Sequence, residues 1–312
     1  MQPPKDFFRP LALGAPTPVR EVPARPSRMI HFFDPSNEKM AAKVPDIAKK
    51  ADVVLGNLED AISADKKDAA REGLVSIAQA TDFGETQLWT RINSLDSPWC
   101  LPDLTRLVPA IGDKLDVIMV PKVEGAEDIH YIDRLLAQLE AQAGLKRPIL
   151  VHALLETARG VANVEEICGA SPRMQGLSLG PADLAADRRM KTTRVGGGHP
   201  GYVVREDPSP DDPEAPRASF QQDLWHFTMA RMVGTCATYG IFPCTGAPSA
   251  TSATPGRVRG PVPQRLPDGL RRRGRCTRCR STSPRGVLAP SPPGVAGPAT
   301  SSTRWATAPV RS

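Results

Sequence analysis

Ile149-Leu150-Val151-His152-Ala153-Leu154-Leu155-Glu156 and Gly176-Leu177-Ser178-Leu179-Gly180-Pro181-Ala182-Asp183 are two apolar runs that each lead into a carboxylate. Near-continuous apolar runs of this kind read as strands buried on both faces, as in a parallel sheet covered by helices. Similar runs occupy residues 29–33, 53–58, 88–92, 117–121 and, more weakly, 241–243. Helical stretches separate them. Residues 128–143 carry a helix-period stripe of Ile129, Ile132, Leu135, Leu136 and Leu139, and residues 163–168 and 224–239 read similarly. Regular β-α alternation leaves a barrel or a doubly wound sheet. No Gly-x-Gly-x-x-Gly follows the first strand, and Gly196-Gly197-Gly198 follows no strand directly, which disfavours a dinucleotide fold. Polar residues cluster at strand ends instead: Glu59, Asp60, Arg91, Lys122, Glu156 and Asp183. That pattern predicts a TIM (β/α)8 barrel with its site at the C-terminal face of the strands. Seven strand candidates stand where such a barrel needs eight, so the barrel is expected to be incomplete. Residues 196–201 and 207–216 read as loops, the second a surface excursion.

The overall charge of +6 is unevenly spread over the 312 residues. Residues 244–312 hold twelve Arg, one Asp and no Lys, a net +11, which leaves −5 for the rest. The organisation expected is one barrel domain over 1–243 and an Arg-, Pro- and Ser-rich tail over 244–312. Such a tail cannot bury enough apolar surface to offset its ordering entropy and is expected to be disordered. No apolar segment follows Phe7-Phe8-Arg9-Pro10, so no secretory signal is expected, and no run approaches the roughly 20 apolar residues of a membrane span. Six Cys without regular spacing suggest free thiols in a reducing cytoplasm. Cys276-x-x-Cys279 lacks a second pair, so it does not make a zinc site.

Two carboxylates at successive strand ends suit Mg²⁺, with Mn²⁺ possible, because hard cations take oxygen ligands and complete their shell with water and substrate. Glu156 and Asp183 are therefore the expected metal ligands; the alternative is a solvated Glu and a helix-capping Asp. Arg91 should point across the barrel mouth, where a guanidinium can hold a carboxylate or stabilise an enolate. It could equally pair with Glu59 or Asp60. Lys122 either faces the site or pairs internally. His152 reads as a satisfied core residue.

Leu55-Gly56-Asn57-Leu58-Glu59-Asp60-Ala61-Ile62, Trp89-Thr90-Arg91-Ile92-Asn93, Leu155-Glu156-Thr157, Leu179-Gly180-Pro181-Ala182-Asp183-Leu184-Ala185 and Lys191-Thr192-Thr193-Arg194-Val195-Gly196-Gly197-Gly198-His199-Pro200 resemble the malyl-CoA lyase family. That family lies within the citrate lyase β-subunit and HpcH/HpaI aldolase superfamily. Arg9-Pro10-Leu11-Ala12-Leu13-Gly14-Ala15-Pro16 and His31-Phe32-Phe33 resemble its Chloroflexus-type branch, and the likeness runs over about 7–243. The resemblance implies a Mg²⁺-dependent carbon–carbon lyase. Its reaction would be the reversible cleavage of malyl-CoA to acetyl-CoA and glyoxylate, or of β-methylmalyl-CoA to propionyl-CoA and glyoxylate. Citramalyl-CoA or citryl-CoA cleavage is the sister reading, and a non-catalytic remnant with a basic tail is the reading from another class. The tail has Trp305 as its only aromatic, so no specific nucleic-acid partner is expected. Catalytic roles fall to Arg91, Glu59 and Asp60, the last two accepting hydrogen bonds from metal-bound water. The backbone N–H groups of Ala182 and Asp183 would meet the glyoxylate carboxylate. Arg28, Phe33 and Lys39 would contact CoA. A homotrimer or hexamer in the cytoplasm is implied, provided the C-terminus is intact.

The family would continue with a Gly-Pro-Phe-Gly-Asp loop, an eighth strand, a Leu-x-Pro motif, a helical lid and an acid/base Asp; none is matched here. Codons chosen for Gly246–Ser252 can read Gly-Pro-Phe-Gly-Asp-Ile in a shifted frame. Those for 259–268 can hide Glu-Asp-Gln-Phe-Arg-Asn-Ala-Phe-Leu, and those for 275–281 can hide Leu-His-Pro-Val-Gln-Ile. The tail is thus expected to be translated out of frame, so that the chain as written has an open barrel edge and impaired activity. Resequencing the codons for Gly240 to Ser281 is expected to restore these motifs. Tryptic peptides matching 257–311 as written, found in the native protein, would overturn a sequencing error.

Overall fold

A computed structural model describes residues 14–25, 27–190, 203–221 and 224–244. Its strands are β1 (Ile30–Phe33), β2 (Val53–Asn57), β3 (Gln87–Arg91), β4 (Leu115–Val120), β5 (Leu150–Leu155), β6 (Met174–Leu179), β7 (Val203–Arg205), β8 (Ser219–Gln221) and β9 (Phe242–Cys244). Strands β1 to β6 and then β9 form one parallel sheet in that order. Among the described residues β1 and β9 each pair on one side only, so the sheet they bound has two open edges there. Strands β7 and β8 form a separate antiparallel hairpin that the sequence reading did not anticipate. The loop at 207–216 is the link between them. Residues 191–202 and 245–312, which include the Lys191-to-Pro200 motif and almost all of the expected tail, lie outside the described residues.

The helices are α1 (Glu38–Ala41), α2 (Val44–Ala48), α3 (Lys67–Ala80), α4 (Cys100–Ile111), α5 (Ala126–Ala143), α6 (Ala158–Ala162), α7 (Val164–Gly169), α8 (Pro181–Asp187) and α9 (His226–Tyr239). Strand side chains alternate between two cores, as the twofold strand period requires. Val54, Leu88, Ile118, Val151 and Leu177 pack outward against the helices. Val53, Leu55, Trp89, Val117, Met119 and Leu154 fill the interior. Strands β2 to β6 are largely apolar because both of their faces are covered, whereas the edge strand β1 leaves His31 and Phe32 exposed.

Two sets of buried polar groups around β5 and β6 are paired. Glu140 of α5 is fully buried and receives Arg173 Nη1 and Nη2, both at 2.6 Å, and the Ile149 N–H at 2.7 Å. This ion pair fastens α5 to the entries of β5 and β6. The β5–β6 register slips between Val151 and His152, which leaves Gln175 without a partner position on β5. Gln175 Oε1 then reaches His152 Nδ1 at 2.7 Å, while Ser178 Oγ meets Nε2 at 2.7 Å. The ring lies 5.2 Å from that of Trp89. His152 is a satisfied core residue, as the sequence reading held.

Burial pulls the His152 pKa down to about 4 from its ordinary 6.5, against the opposing hydrogen bond it makes to Gln175 Oε1. A depressed folded-state pKa contributes stability that is present above pH 6.5 and lost as pH falls through 4. The loss attributable to this ring is on the order of 3 kcal/mol. In urea unfolding, His152→Asn should lose less stability than wild type between pH 7 and pH 4; equal losses would remove His152 from the account.

Candidate active site

Five consecutive strands deliver a charged group to the same end of the sheet. β2 leads into Glu59 and Asp60, β3 ends in Arg91, β4 leads into Lys122, β5 into Glu156, and β6 into the turn that carries Asp183. Parallel register lines up these exits; Asn57 and Arg91, for instance, are partner positions. Arg91 Nε donates to Asn57 Oδ1 at 2.9 Å, and the Glu59 N–H donates to the same oxygen at 3.1 Å. Arg91 Nη2 lies 2.8 Å from Glu59 Oε2 and Nη1 lies 3.9 Å from Glu156 Oε1. The guanidinium therefore both pairs internally with Glu59 and faces the site.

Lys122 is the centre of the cluster. Its Nζ is 2.5 Å from Glu59 Oε1, 3.2 Å from Asp60 Oδ2, 3.8 Å from Glu156 Oε2 and 3.8 Å from Asp183 Oδ2. It both faces the site and pairs internally, so the two readings left open for it hold together. Its backbone sits at φ 52°, a left-handed conformation that a non-glycine residue adopts at a cost. Burial works against its charge, but the Glu59 hydrogen bond and the charges of Glu59, Glu156 and Asp60 outweigh it and raise the pKa.

Glu156 is 2% exposed, and its Oε2 has no hydrogen-bond partner; the same holds for Glu59 Oε2, where the Arg91 contact is an ion pair without hydrogen-bond alignment. Burial pushes the Glu156 pKa up to about 7, with Glu59 and Asp183 adding to the rise and Arg91 and Lys122 opposing it. A Cβ at Gly180 would come within 2.3 Å of Glu156 Cγ, so only glycine leaves room for this carboxylate. An orphaned, buried oxygen beside a second carboxylate is a hard-donor setting that fits a divalent cation. Among the described residues no group of three or more His, Cys, Asp or Glu side chains has a metal-binding arrangement. A cation on Glu156 and Asp183 would therefore keep positions for water or substrate.

Asp183 departs from the expected placement. β6 stops at Leu179, and Asp183 lies in the first turn of α8, because Pro181 has a fixed φ suited to a first helical position. The first helical bond there runs from Leu184 N to Gly180 O at 3.1 Å, so the Ala182 and Asp183 amides precede the helical ladder.

The three expected CoA contacts are not brought together. Phe33 is 2% exposed, in the sheet–helix core. Arg28 precedes β1 at the opposite end of the sheet, where its guanidinium holds Asp52 at 2.7 and 3.0 Å. Only Lys39 lies beyond the C-terminal end of β1, exposed on α1. A cavity of about 650 Å³, lined by Arg25, Lys114, Asp116 and Arg147 among others, also lies at the far end of the strands, away from the carboxylates.

A second ring of buried groups, given no role in the sequence reading, fixes the first. Lys67 Nζ donates to Leu58 O at 2.7 Å, Glu59 O at 3.0 Å and Asn93 Oδ1 at 2.6 Å. Asn93 donates through both its N–H and its Nδ2 to Asp103 Oδ2, at 2.8 and 2.7 Å, and Arg71 Nε holds Asp103 Oδ1 at 2.7 Å. Burial pulls the Lys67 pKa down against the charges of Glu59 and Asp103. The one available sequence signal was Asn93, just beyond the end of β3 and next but one to Arg91.

A family profile described as HpcH/HpaI aldolase/citrate lyase matches residues 28–200. A malyl-CoA/β-methylmalyl-CoA/citramalyl-CoA lyase of Chloroflexus aurantiacus is 59% identical over 236 residues, covering 76% of this chain and 67% of that protein. An L-malyl-CoA/β-methylmalyl-CoA lyase of Cereibacter sphaeroides is 38% identical over 229 residues, covering 72% and 67% respectively. The solved CitE protein of Mycobacterium tuberculosis, in complex with magnesium and acetoacetate, overlaps with a TM-score of 0.48 at 22% identity, covering 69% of this chain and 70% of that one.

Removing Asp103 should leave Arg71 only its pairing with the exposed Asp68, and the Asn93 N–H groups without their acceptor. Asp103→Ala is expected to lower unfolding free energy by about 3–5 kcal/mol, the usual cost of breaking a buried charge network. Chemical denaturation checks this; a loss below 1 kcal/mol would mean the network is dispensable.

Proposed function

We propose a reaction from one premise: this chain belongs to the HpcH/HpaI aldolase/citrate lyase family. The reaction is the reversible carbon–carbon cleavage of a 3-hydroxyacyl-CoA of the malyl-CoA type, yielding acetyl-CoA and glyoxylate, with β-methylmalyl-CoA yielding propionyl-CoA. The observation that carries it is the buried Glu156 carboxylate, with its orphaned oxygen, set against Arg91 and Lys122 at the strand ends. The relatives named malyl-CoA lyases supply the substrate class.

In this reading Glu156 and Asp183 hold Mg²⁺, with Mn²⁺ as a substitute, and the ion when bound supplies Lewis-acid polarisation of the substrate oxygens. The remaining work belongs to the chain. Cleavage leaves negative charge on the departing acyl thioester, and the Arg91 guanidinium is positioned to stabilise it. Glu59 holds Arg91 from behind and, with Asp60, offers carboxylate oxygens to water at the site. The Ala182 and Asp183 amides provide donors for the glyoxylate carboxylate. Lys39 supplies a cation for a CoA phosphate. The barrel over 1–243 carries the metal-site residues and Arg91, while the acid/base Asp of the family has no match in the tail over 244–312, so the chain as written is expected to have impaired activity. The same reading extends to a cytoplasmic homo-oligomer. Among the described residues no helix is long and apolar enough to cross a membrane, which is compatible with that location.

A second acceptor is favoured by one observation: the Chloroflexus relative's name also includes citramalyl-CoA. Acetyl-CoA with glyoxylate should condense in the presence of Mg²⁺, and pyruvate in place of glyoxylate tests citramalyl-CoA chemistry. Arg91→Lys keeps the charge but loses the planar fork, and should lower kcat/KM by about 10²–10³-fold. Condensation without added metal, or an Arg91→Lys variant as active as wild type, would sink the assignment.

A further inference from the structure

We propose that Lys122 is a built-in counter-cation for the divalent-metal position, holding the carboxylates together in the metal-free protein and yielding the Glu156–Asp183 side when metal binds. The inference rests on the metal reading above and goes beyond it by assigning a positioning residue and a competition. Four carboxylates from three connections converge on one Nζ. Without a cation, this concentration of like charge at the mouth of a barrel would force its loops apart or force protons onto it.

The geometry divides the four partners into two sets. Glu59 and Asp60 lie within hydrogen-bond distance at 2.5 and 3.2 Å, whereas Glu156 and Asp183 are held only by charge, each at 3.8 Å. The lysine is thus anchored on one side and loose on the other. A divalent ion arriving at Glu156 and Asp183 displaces no hydrogen bond, and the ammonium keeps its bonds to Glu59 and Asp60. A lysine suits this exchange because its ammonium is a compact point charge on a flexible stem. Its left-handed backbone at φ 52° sets the base of that stem among the carboxylates. Glu156 Oε2, buried and without a hydrogen bond, is the atom left waiting.

A residual ammonium beside a dication weakens metal binding. The test is titration calorimetry of Mg²⁺ into the full-length chain, with melting curves taken with and without Mg²⁺. Lys122→Met should bind Mg²⁺ about tenfold more tightly than wild type, should melt lower when metal-free and should gain more from added Mg²⁺. Lys122→Arg should bind much as wild type does. Lys122→Gln keeps a donor for Glu59 without the charge and carries the same expectation as Met, should Met cost the fold. A merely structural lysine gives the opposite sign, because its loss would loosen the site and weaken metal binding. Unchanged or weaker affinity in both neutral variants overturns the proposal. Glu156→Gln separates the two readings. If wild type binds Mg²⁺ no better than this variant, the metal reading fails and the proposal with it. If Glu156→Gln loses binding while the neutral Lys122 variants match wild type, only the proposal fails.

Discussion

Carboxylates that leave water need cations, and this requirement organises the upper end of the sheet. Glu59 and Glu156 are almost wholly buried, and both sit beside Arg91 and Lys122. A buried charge without a partner costs several kcal/mol, so the positions of these four residues are coupled rather than independent. The coupling runs downward as well. Lys67 is bonded to the Glu59 carbonyl and Asn93, and Asn93 to Asp103, so the loops after β2 and β3 are tied to helices α3 and α4 beneath them. The scaffold below is ordinary apolar packing in two layers. Its role for the site is to bring strand ends into register, so that groups far apart in sequence meet without long flexible reaches.

The fold was legible because its signal is repeated. Seven apolar runs marked the seven parallel strands, with ends displaced only slightly, since a strand covered on both faces has a composition that no surface segment shares. The β7–β8 hairpin was illegible for the opposite reason: it is short, exposed and bounded by Pro- and Asp-rich loop sequence. The site was partly legible. Strand-end charges can be seen in the sequence, and the structure brings Glu59, Asp60, Arg91, Lys122, Glu156 and Asp183 together. What the sequence lacks is direction and depth. Phe33 looked available but points into the helix-facing layer, and Arg28 stands at the wrong end of its strand, bonded to Asp52. Asp103, which sits at no strand end, is fully buried.

The sequence spacing of the cluster bears on how the chain is made. Glu59 and Lys122 are 63 residues apart, and the charges emerge in the order acid, acid, base, base, acid, acid. At synthesis rates of about 5–20 residues per second, Glu59 leaves the ribosome several seconds before Lys122. Arg91 arrives between them and can neutralise Glu59 in the interim. Glu156 and Asp183 come last, once Arg91 and Lys122 already balance Glu59 and Asp60. The order in which residues emerge thus puts two bases in place before the last two acids arrive, so that the four carboxylates never gather without a cation among them.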